Sequence, residues 1–353
     1  MTDSTVVPEF EEREPRPVRL HLLRIVPAVL VLGLLVHFVL PRLGSVEDSI
    51  DALHTLKPWG IVLAIGFQIF SYVANGSLLQ SVVHLAGERI SLRRAVAIEV
   101  GAGTVALVAA GALGFGAAIY RWTRNSGVSR DAAMLASWLP PVFDSMTLVV
   151  FALIGAVELL LKHQLSRTTE VALAIVIAVL SVAIGTVIVL LVRSDWMTAI
   201  SLRVTRLIKR VRPAADDSLL TDAADRAAKA WQRMRSGGWV LPTCSSLLVL
   251  TFDFLSLRYA FLAAGQHLYI TTLLAGYGVP LLLGRSSFLP GGIAVIEVAM
   301  AAIFGGLGVP AGPAIVGVLT YRLISFWLPA VTGIPIAIAL QSRRARPSPA
   351  VGT

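Results

Sequence analysis

Five ionisable residues lie inside long apolar stretches of this sequence, and their side chains carry the chemistry on which a function could depend. They are Asp144, Asp253, Arg285, Glu297 and Arg322. A charge without a partner in the hydrocarbon of a bilayer costs several kcal/mol, so each side chain needs an opposite charge or a water-filled cavity. Arginine also suits phosphate, because its planar guanidinium donates two parallel hydrogen bonds. We therefore expect these residues to pair with one another or to bind a charged ligand.

Two of the five lie in the C-terminal apolar stretches, where Glu297 follows Pro290 by seven residues and Arg322 lies in the last stretch. They can form a structural ion pair, or line a cavity that receives a charged or zwitterionic head group. Arg285 is followed by two serines in a polar break. That pattern is typical of a phosphate-facing cluster, and equally of an arginine that extends to the membrane interface.

The aspartates lie near the middle of their apolar stretches, and a carboxylate at that depth indicates function by default. Asp144 follows Pro140 and Pro141, where a kink would open backbone carbonyls to a cavity. Glu99, early in a glycine-rich stretch, is compatible with a structural or a functional role. An intramembrane lipid-modifying enzyme would need Asp144 and Asp253 to converge, and this alternative stays open.

Composition excludes several classes of protein. Hydrophobic residues make up 56% of the 353 residues and charged residues only 14%, against about 25% charged in a soluble domain. The single cysteine, Cys244, and six scattered histidines argue against a disulfide framework and a metal site. No cofactor and no enzymatic activity are predicted. The net charge of +9 comes from basic loops beside apolar stretches, which the positive-inside rule explains without nucleic acid as a partner.

The elements that must position the charged residues are membrane helices. We predict an all-α polytopic membrane protein with about six full transmembrane helices and two re-entrant hairpins, which enter and leave on one side. Glycine-rich or proline-broken sequence marks the hairpins, because irregular backbone at membrane depth is tolerated only where protein covers it. The full helices are predicted at 25–40, 59–84, 132–161, 169–192, 239–264 and 314–340, and the hairpins at 95–119 and 269–308.

Charge in the loops predicts the orientation of the chain. Ten Lys or Arg residues lie in the stretch 193–238, which we assign as a cytoplasmic connector. Its basic amphipathic start either lies on the inner leaflet or is a solvated link. Both termini are predicted to be cytoplasmic in a multi-pass protein of the cell membrane. The predicted order is a tail, a first transmembrane half, the connector, a second half and a tail, at 1–20, 21–192, 193–238, 239–341 and 342–353.

The two predicted hairpins resemble each other in sequence. Gly114-Phe-Gly-Ala-Ala-Ile-Tyr-Arg leads to an apolar stretch that begins near Ala132, and Pro290-Gly-Gly-Ile-Ala-Val-Ile-Glu leads to one that begins near Ala314. On the predicted topology the copies enter from opposite sides, as in the inverted repeats of secondary transporters, whose sites lie at the midplane. Chance similarity in sequence rich in Gly, Ala and Val is the competing interpretation.

The C-terminal third resembles a known family. Phe288-Leu-Pro-Gly-Gly-Ile-Ala-Val-Ile-Glu, then Gly308-Val-Pro, then Leu319-Thr-Tyr-Arg-Leu-Ile-Ser-Phe-Trp-Leu-Pro, is similar to the flippase-like transmembrane region of bacterial lysylphosphatidylglycerol synthase and its stand-alone relatives. The likeness extends from about residue 20 to 340. The matching positions are Pro290, Gly291, Gly292, Glu297, Gly308, Tyr321 and Arg322. In the first half, Gly114-Phe115-Gly116 stands where the family often has a proline.

The resemblance implies movement of a phospholipid, such as an aminoacylated phosphatidylglycerol, between leaflets. It does not imply aminoacyl transfer, which in two-domain members belongs to a soluble domain that we do not expect here. We predict a flippase-like protein whose partners are membrane lipids, and no oligomeric state is predicted. A non-catalytic scaffold of envelope synthesis is the alternative. The candidate substrate-binding residues are Arg322, Glu297, Arg285, Asp253, Asp144 and Tyr321.

Overall fold

Proline, serine and glycine mark many of the helix ends in this chain. A computed structural model describes residues 56–161 except Ala110, 234–287 and 290–342, with isolated positions at 171, 178 and 232. Several predicted segments lie almost entirely outside the described residues. They are the two tails, the helices at 25–40 and 169–192, and the connector before Met234. Pro58 begins the first helix, where its missing N–H costs nothing. The Ser129 hydroxyl accepts a hydrogen bond from the Ala132 N–H and so caps the fourth.

The described residues form nine α-helices and no strand, as predicted for the fold class. The helices are α1 (Pro58–Leu85), α2 (Leu92–Val108), α3 (Ala112–Arg124), α4 (Arg130–Leu161), α5 (Val240–Ala263), α6 (Ile270–Ser286), α7 (Val295–Gly306), α8 (Ala311–Arg322) and α9 (Leu328–Ser342). A π-helical turn, Leu323–Trp327, joins α8 to α9, and a short 3₁₀ turn, Pro290–Gly292, precedes α7.

Four described helices are long and apolar enough to cross a membrane. They are Pro58–Leu85, Arg130–Val157, Val240–Ala263 and the continuous Ala311–Ser342. All four coincide with predicted full helices, with ends that differ by a few residues. The count of six, which includes 25–40 and 169–192, stays a prediction. Ile270–Arg285 and Val295–Gly306 are shorter apolar helices.

Each predicted hairpin consists of two helices that run back along each other. In the first, the Arg94 guanidinium at the start of α2 donates to the Asn125 carbonyl just after α3, 3.1 Å away. In the second, Gly276 of α6 lies against Phe304 of α7. The first hairpin spans Leu92–Arg124 and is longer than the predicted 95–119. That these hairpins are re-entrant stays a prediction.

The two halves meet along α1 and α5, which run antiparallel. The Lys57 N–H donates to the Ala263 carbonyl over 2.9 Å at one end, and the Ser71 hydroxyl donates to the Val249 carbonyl over 3.0 Å further along. Gly60 lets the backbones approach, since a Cβ there would lie 2.9 Å from Ala263. Small and hydroxyl-bearing residues of this kind are common where membrane helices pack.

The remaining contacts between the halves are reciprocal. α4 packs antiparallel on α6, where Gly278 lies against Ala152. In the same way α9 packs antiparallel on α2, where the Thr104 hydroxyl donates to the Ala330 carbonyl over 3.2 Å. In each half the long helix that follows the hairpin thus covers the first hairpin helix of the other half. This exchange brings the turns of both hairpins toward one central region.

Candidate functional site

A cavity of about 770 Å³ lies between the turns of the two hairpins. Its wall combines α1, the α2–α3 hairpin, α4, α6 and the Pro290–Gly292 turn. The polar residues on the wall are Asn75, Glu99, Ser137, Asp144, Ser145, Arg285 and Ser287. Pockets of about 300–1,000 Å³ are usual for small ligands. The cavity therefore has room for the head group of a lipid.

Arg285 and Asp144 form an ion pair on the cavity wall. The Arg285 guanidinium donates to the Asp144 carboxylate and, over 3.2 Å, to the Ser145 hydroxyl. The side chains are 37% and 14% exposed, respectively, so the pair is accessible from the cavity. α4 continues through Pro140 and Pro141, and both prolines line the cavity beside Asp144. The second oxygen of Asp144 is buried without a hydrogen bond.

Glu297 and Arg322 form a second pair, which is buried. Nε of Arg322 donates to Oε1 of Glu297 over 2.7 Å, and Nη2 donates to the Gly291 carbonyl over 3.0 Å. The guanidinium carbon lies 4.6 Å from the centre of the Phe326 ring. The two side chains are only 5–6% exposed, and neither lines the cavity. This pair joins α7, α8 and the turn, and a role of Arg322 in binding substrate stays a prediction.

Local backbone explains the position of Glu297. The chain from Pro290 to Ala294 is not α-helical, so Glu297 lies in the first turn of α7 rather than two turns into a helix. A carboxylate is favourable there, because the helix dipole places positive charge at the N-terminus. Gly291 has φ +63°, and a Cβ on it would clash with the Phe326 ring. Glycine at this position is required by both backbone and space.

The other glycines that the sequence singled out as structural differ in how closely they are packed. Gly292 lines the cavity, and Gly114 packs so closely on Ala109 that a Cβ would strike its carbonyl oxygen. Gly116 faces α4 at the Ser137 carbonyl. Gly308 has φ +81° in the turn between α7 and α8, with open space around it. Gly114 thus allows the close packing of the α2–α3 turn, whereas Gly308 serves only the turn between α7 and α8.

Asp253 of α5 is held by two tyrosine side chains and does not line the cavity. Its Oδ2 accepts hydrogen bonds from the hydroxyls of Tyr277, over 2.8 Å, and Tyr321, over 2.7 Å. Tyr321 is thereby placed beside Asp253, with its ring buried. Asp144 has other partners, so no hydrogen bond joins the two aspartates. Among the described residues, no three His, Cys, Asp or Glu side chains come together to hold a metal ion.

The cavity also contains a residue whose role the sequence left open. Glu99 of α2 is 8% exposed and lines the cavity. No described residue gives its carboxylate a hydrogen bond or a salt bridge. The pattern that singles it out is a lone carboxylate in an apolar stretch, seven residues into α2. That it shares a cavity with Asp144 and Arg285 depends on how the halves pack.

Comparison with known proteins agrees with this architecture. Residues 25–333 match the family described as the lysylphosphatidylglycerol synthase TM region. A UPF0104 membrane protein of Pyrococcus horikoshii is 23% identical over 206 residues, which are 54% of this chain and 59% of that protein. The chain thus spans about three fifths of the curated relative that it matches. With most of its length matched, the chain is an integral membrane protein that belongs to the family of the lysylphosphatidylglycerol synthase transmembrane region.

Proposed function

We propose that this protein moves a phospholipid between the leaflets of the cell membrane. The observation that carries the proposal is the cavity between the two hairpin turns, with an arginine on its wall. Irregular backbone at membrane depth, in corresponding positions of two halves, is the usual setting of a transport site. The lipid head group would occupy the cavity while the acyl chains remain in the bilayer.

Arg285 is the residue that we assign to the phosphate. Its guanidinium is accessible from the cavity, and its partner Asp144 leaves donors free for a second anion. Arg322 donates as many hydrogen bonds, to Glu297 and the Gly291 carbonyl, but it is only 5% exposed and does not line the cavity, so an anion in the cavity does not reach its remaining donors. A phosphate can therefore bind Arg285 by exchanging with Asp144, whereas at Arg322 it would have to break a buried pair.

A scaffold of envelope synthesis is the second candidate, favoured by one observation. Glu297 with Arg322, and Asp253 with two tyrosines, are charged groups paired in a closed interior, although the second oxygen of Glu297 is buried without a hydrogen bond. A scaffold needs no more than that. It has no use, however, for a cavity with a charged wall, which costs stability unless a ligand or water fills it. We therefore rank transport first.

Reconstitution of the full chain in liposomes tests the proposal. Vesicles carry phosphatidylglycerol or phosphatidylethanolamine with a fluorescent label on an acyl chain, and dithionite quenches only the outer leaflet. We expect the protein to increase the fraction of at least one lipid that becomes quenchable over time, and Arg285→Met to reduce the rate at least about tenfold.

The matched control is Arg121→Met, which removes an exposed arginine of α3 that does not line the cavity. Its rate should equal that of the unchanged protein. If the unchanged protein moves no lipid beyond empty vesicles, the proposed function is wrong. Equal losses in both variants would remove Arg285 from the binding site.

A further inference from the structure

We propose that Glu99 binds a proton when an anionic head group occupies the cavity, so that lipid movement is coupled to a proton gradient. This inference rests on the proposed function and adds an energy source to it. It starts from a carboxylate that is more than nine-tenths buried, lines the cavity and has no hydrogen bond or salt bridge from a described residue.

The charges on the cavity wall do not balance. Arg285 and Asp144 neutralise each other as an ion pair. Glu99 is then a carboxylate in excess, and the described wall offers no second cation. A lone negative charge on a side chain as buried as Glu99 costs several kcal/mol, and water in the cavity offsets only part of that cost. Protonation of one of the carboxylates is the least costly way to remove this charge.

Among the described elements that pack near Glu99, none supplies a counter-ion. Tyr72 of α1 and Asp144 of α4 are the titratable groups that act on Glu99 electrostatically, and neither is a cation. α9, which packs along α2, has no titratable side chain from Leu328 to Ser342.

The arginines of the first hairpin are directed elsewhere. Arg94 donates to the Asn125 carbonyl, and Arg124 donates to the Val128 carbonyl. Arg93 and Arg121 are exposed, and neither lines the cavity. Within the part of the chain that the structure describes, Glu99 thus has only the contents of the cavity to neutralise it.

Binding of an anionic head group enlarges the imbalance. When a phosphate takes the Arg285 guanidinium, Asp144 loses its partner. One cation then faces a phosphate and two carboxylates, Asp144 and Glu99. Uptake of a proton by Glu99 relieves the repulsion and stabilises the bound state. Proton and lipid therefore favour each other's binding, and the coupling is reciprocal by linkage.

The test uses the full chain in liposomes that contain acyl-labelled phosphatidylglycerol, which has no amine. The pH is either equal on the two sides or lower on one. We expect the label to accumulate in the leaflet on the alkaline side, and the apparent affinity to rise by up to about tenfold per pH unit of acidification. A pH-sensitive dye inside the vesicles should report proton movement that accompanies the lipid.

Glu99→Gln fixes the side chain in a neutral form of similar size. We expect lipid exchange by this variant at equal pH to lose its dependence on pH, and we expect the accumulation and the proton movement to be lost as well. Asp131→Asn, which removes an exposed carboxylate at the start of α4, is the control and should keep both.

Each remaining outcome overturns the inference. Lipid movement that ignores the gradient, or a Glu99→Gln variant that still follows it, removes the proton from the process. Loss of exchange at equal pH in a folded Glu99→Gln variant makes Glu99 a ligand of the lipid. Movement of phosphatidylethanolamine alone, without protons, assigns Glu99 to an amine. These results differ from absence of all movement in the unchanged protein, which defeats the proposed function itself.

Discussion

The two Arg–carboxylate pairs of this protein have the same chemistry and opposite surroundings. Arg322 and Glu297 are 5–6% exposed, and the guanidinium is also held by the Gly291 carbonyl and the Phe326 ring. Arg285 is 37% exposed on the wall of the cavity, and its donors reach Asp144 and a serine hydroxyl. The first pair holds helices together in the protein interior, whereas in the second pair Arg285 can exchange Asp144 for another anion. An arginine inside a membrane protein is thus not assigned a role by its residue type.

Burial also decides what each pair contributes to stability. Removing one partner of a buried pair leaves an uncompensated charge and costs about 3–5 kcal/mol. A solvent-accessible pair is worth about 0–1 kcal/mol. Variants of the two pairs should therefore separate stability from transport.

Arg322→Met should cause the largest loss, about 3–5 kcal/mol of unfolding free energy, because Glu297 remains buried without its partner. Thermal unfolding in detergent measures the loss as a lower midpoint. Adding Glu297→Gln removes the stranded charge and should recover most of the stability, with transport recovering in proportion. If the double variant regains stability and still moves no lipid, Arg322 binds the substrate, as the sequence allowed.

Gly291→Ala should cost about 1–3 kcal/mol, because the new Cβ meets the Phe326 ring in a backbone conformation that alanine rarely adopts. Displacement of that ring also weakens the support of Arg322. Gly305→Ala on the same hairpin is the control, since a Cβ there meets nothing within 4 Å. Its midpoint should stay equal or rise slightly. Equal destabilisation by both substitutions would contradict the close packing of the turn.

Arg285→Lys should change stability by less than about 0.5 kcal/mol, because the ammonium can still pair with Asp144 in an accessible site. Lipid movement should nevertheless fall about tenfold, since a lysine cannot reproduce the bidentate contact to phosphate. Arg322→Lys, measured in the same vesicles, sharpens the comparison. If Arg285→Lys transports lipid normally and a stable Arg322→Lys transports none, the two pairs have the reverse of the roles proposed for them.

Much of the fold was predictable because it depends on local sequence. Apolar length predicts α1, α4, α5 and the continuous helix Ala311–Ser342, since a segment must match the bilayer. Glycine and proline predict the breaks after α2 and α6, because they disfavour a helix or permit positive φ. The ends of the first hairpin were less predictable. α3 extends to Arg124, beyond the predicted end at 119, because basic residues can continue a helix outside an apolar stretch.

For the candidate site, the sequence predicted several of the residues but not their arrangement. Arg285, Asp144 and the Pro-Gly-Gly turn were all singled out by residue type and position. Their meeting at one cavity depends on the exchange of helices between the halves, which places α4 against α6 across more than a hundred residues of sequence. The role of Glu99 could not be assigned for the same reason. Its surroundings depend on how α2 packs against α9 of the other half.

The sequence by itself determined that this chain is helical, that it belongs in a membrane, and which charged residues lie among its apolar helices. These properties follow from hydropathy and backbone preference, which act over a few turns of helix. Only the tertiary structure decided that Arg285 faces the cavity while Arg322 is enclosed, and that Glu99 has no partner among the described residues. A charge in a low-dielectric interior is governed by whichever groups lie within a few ångströms, and distant segments supply them.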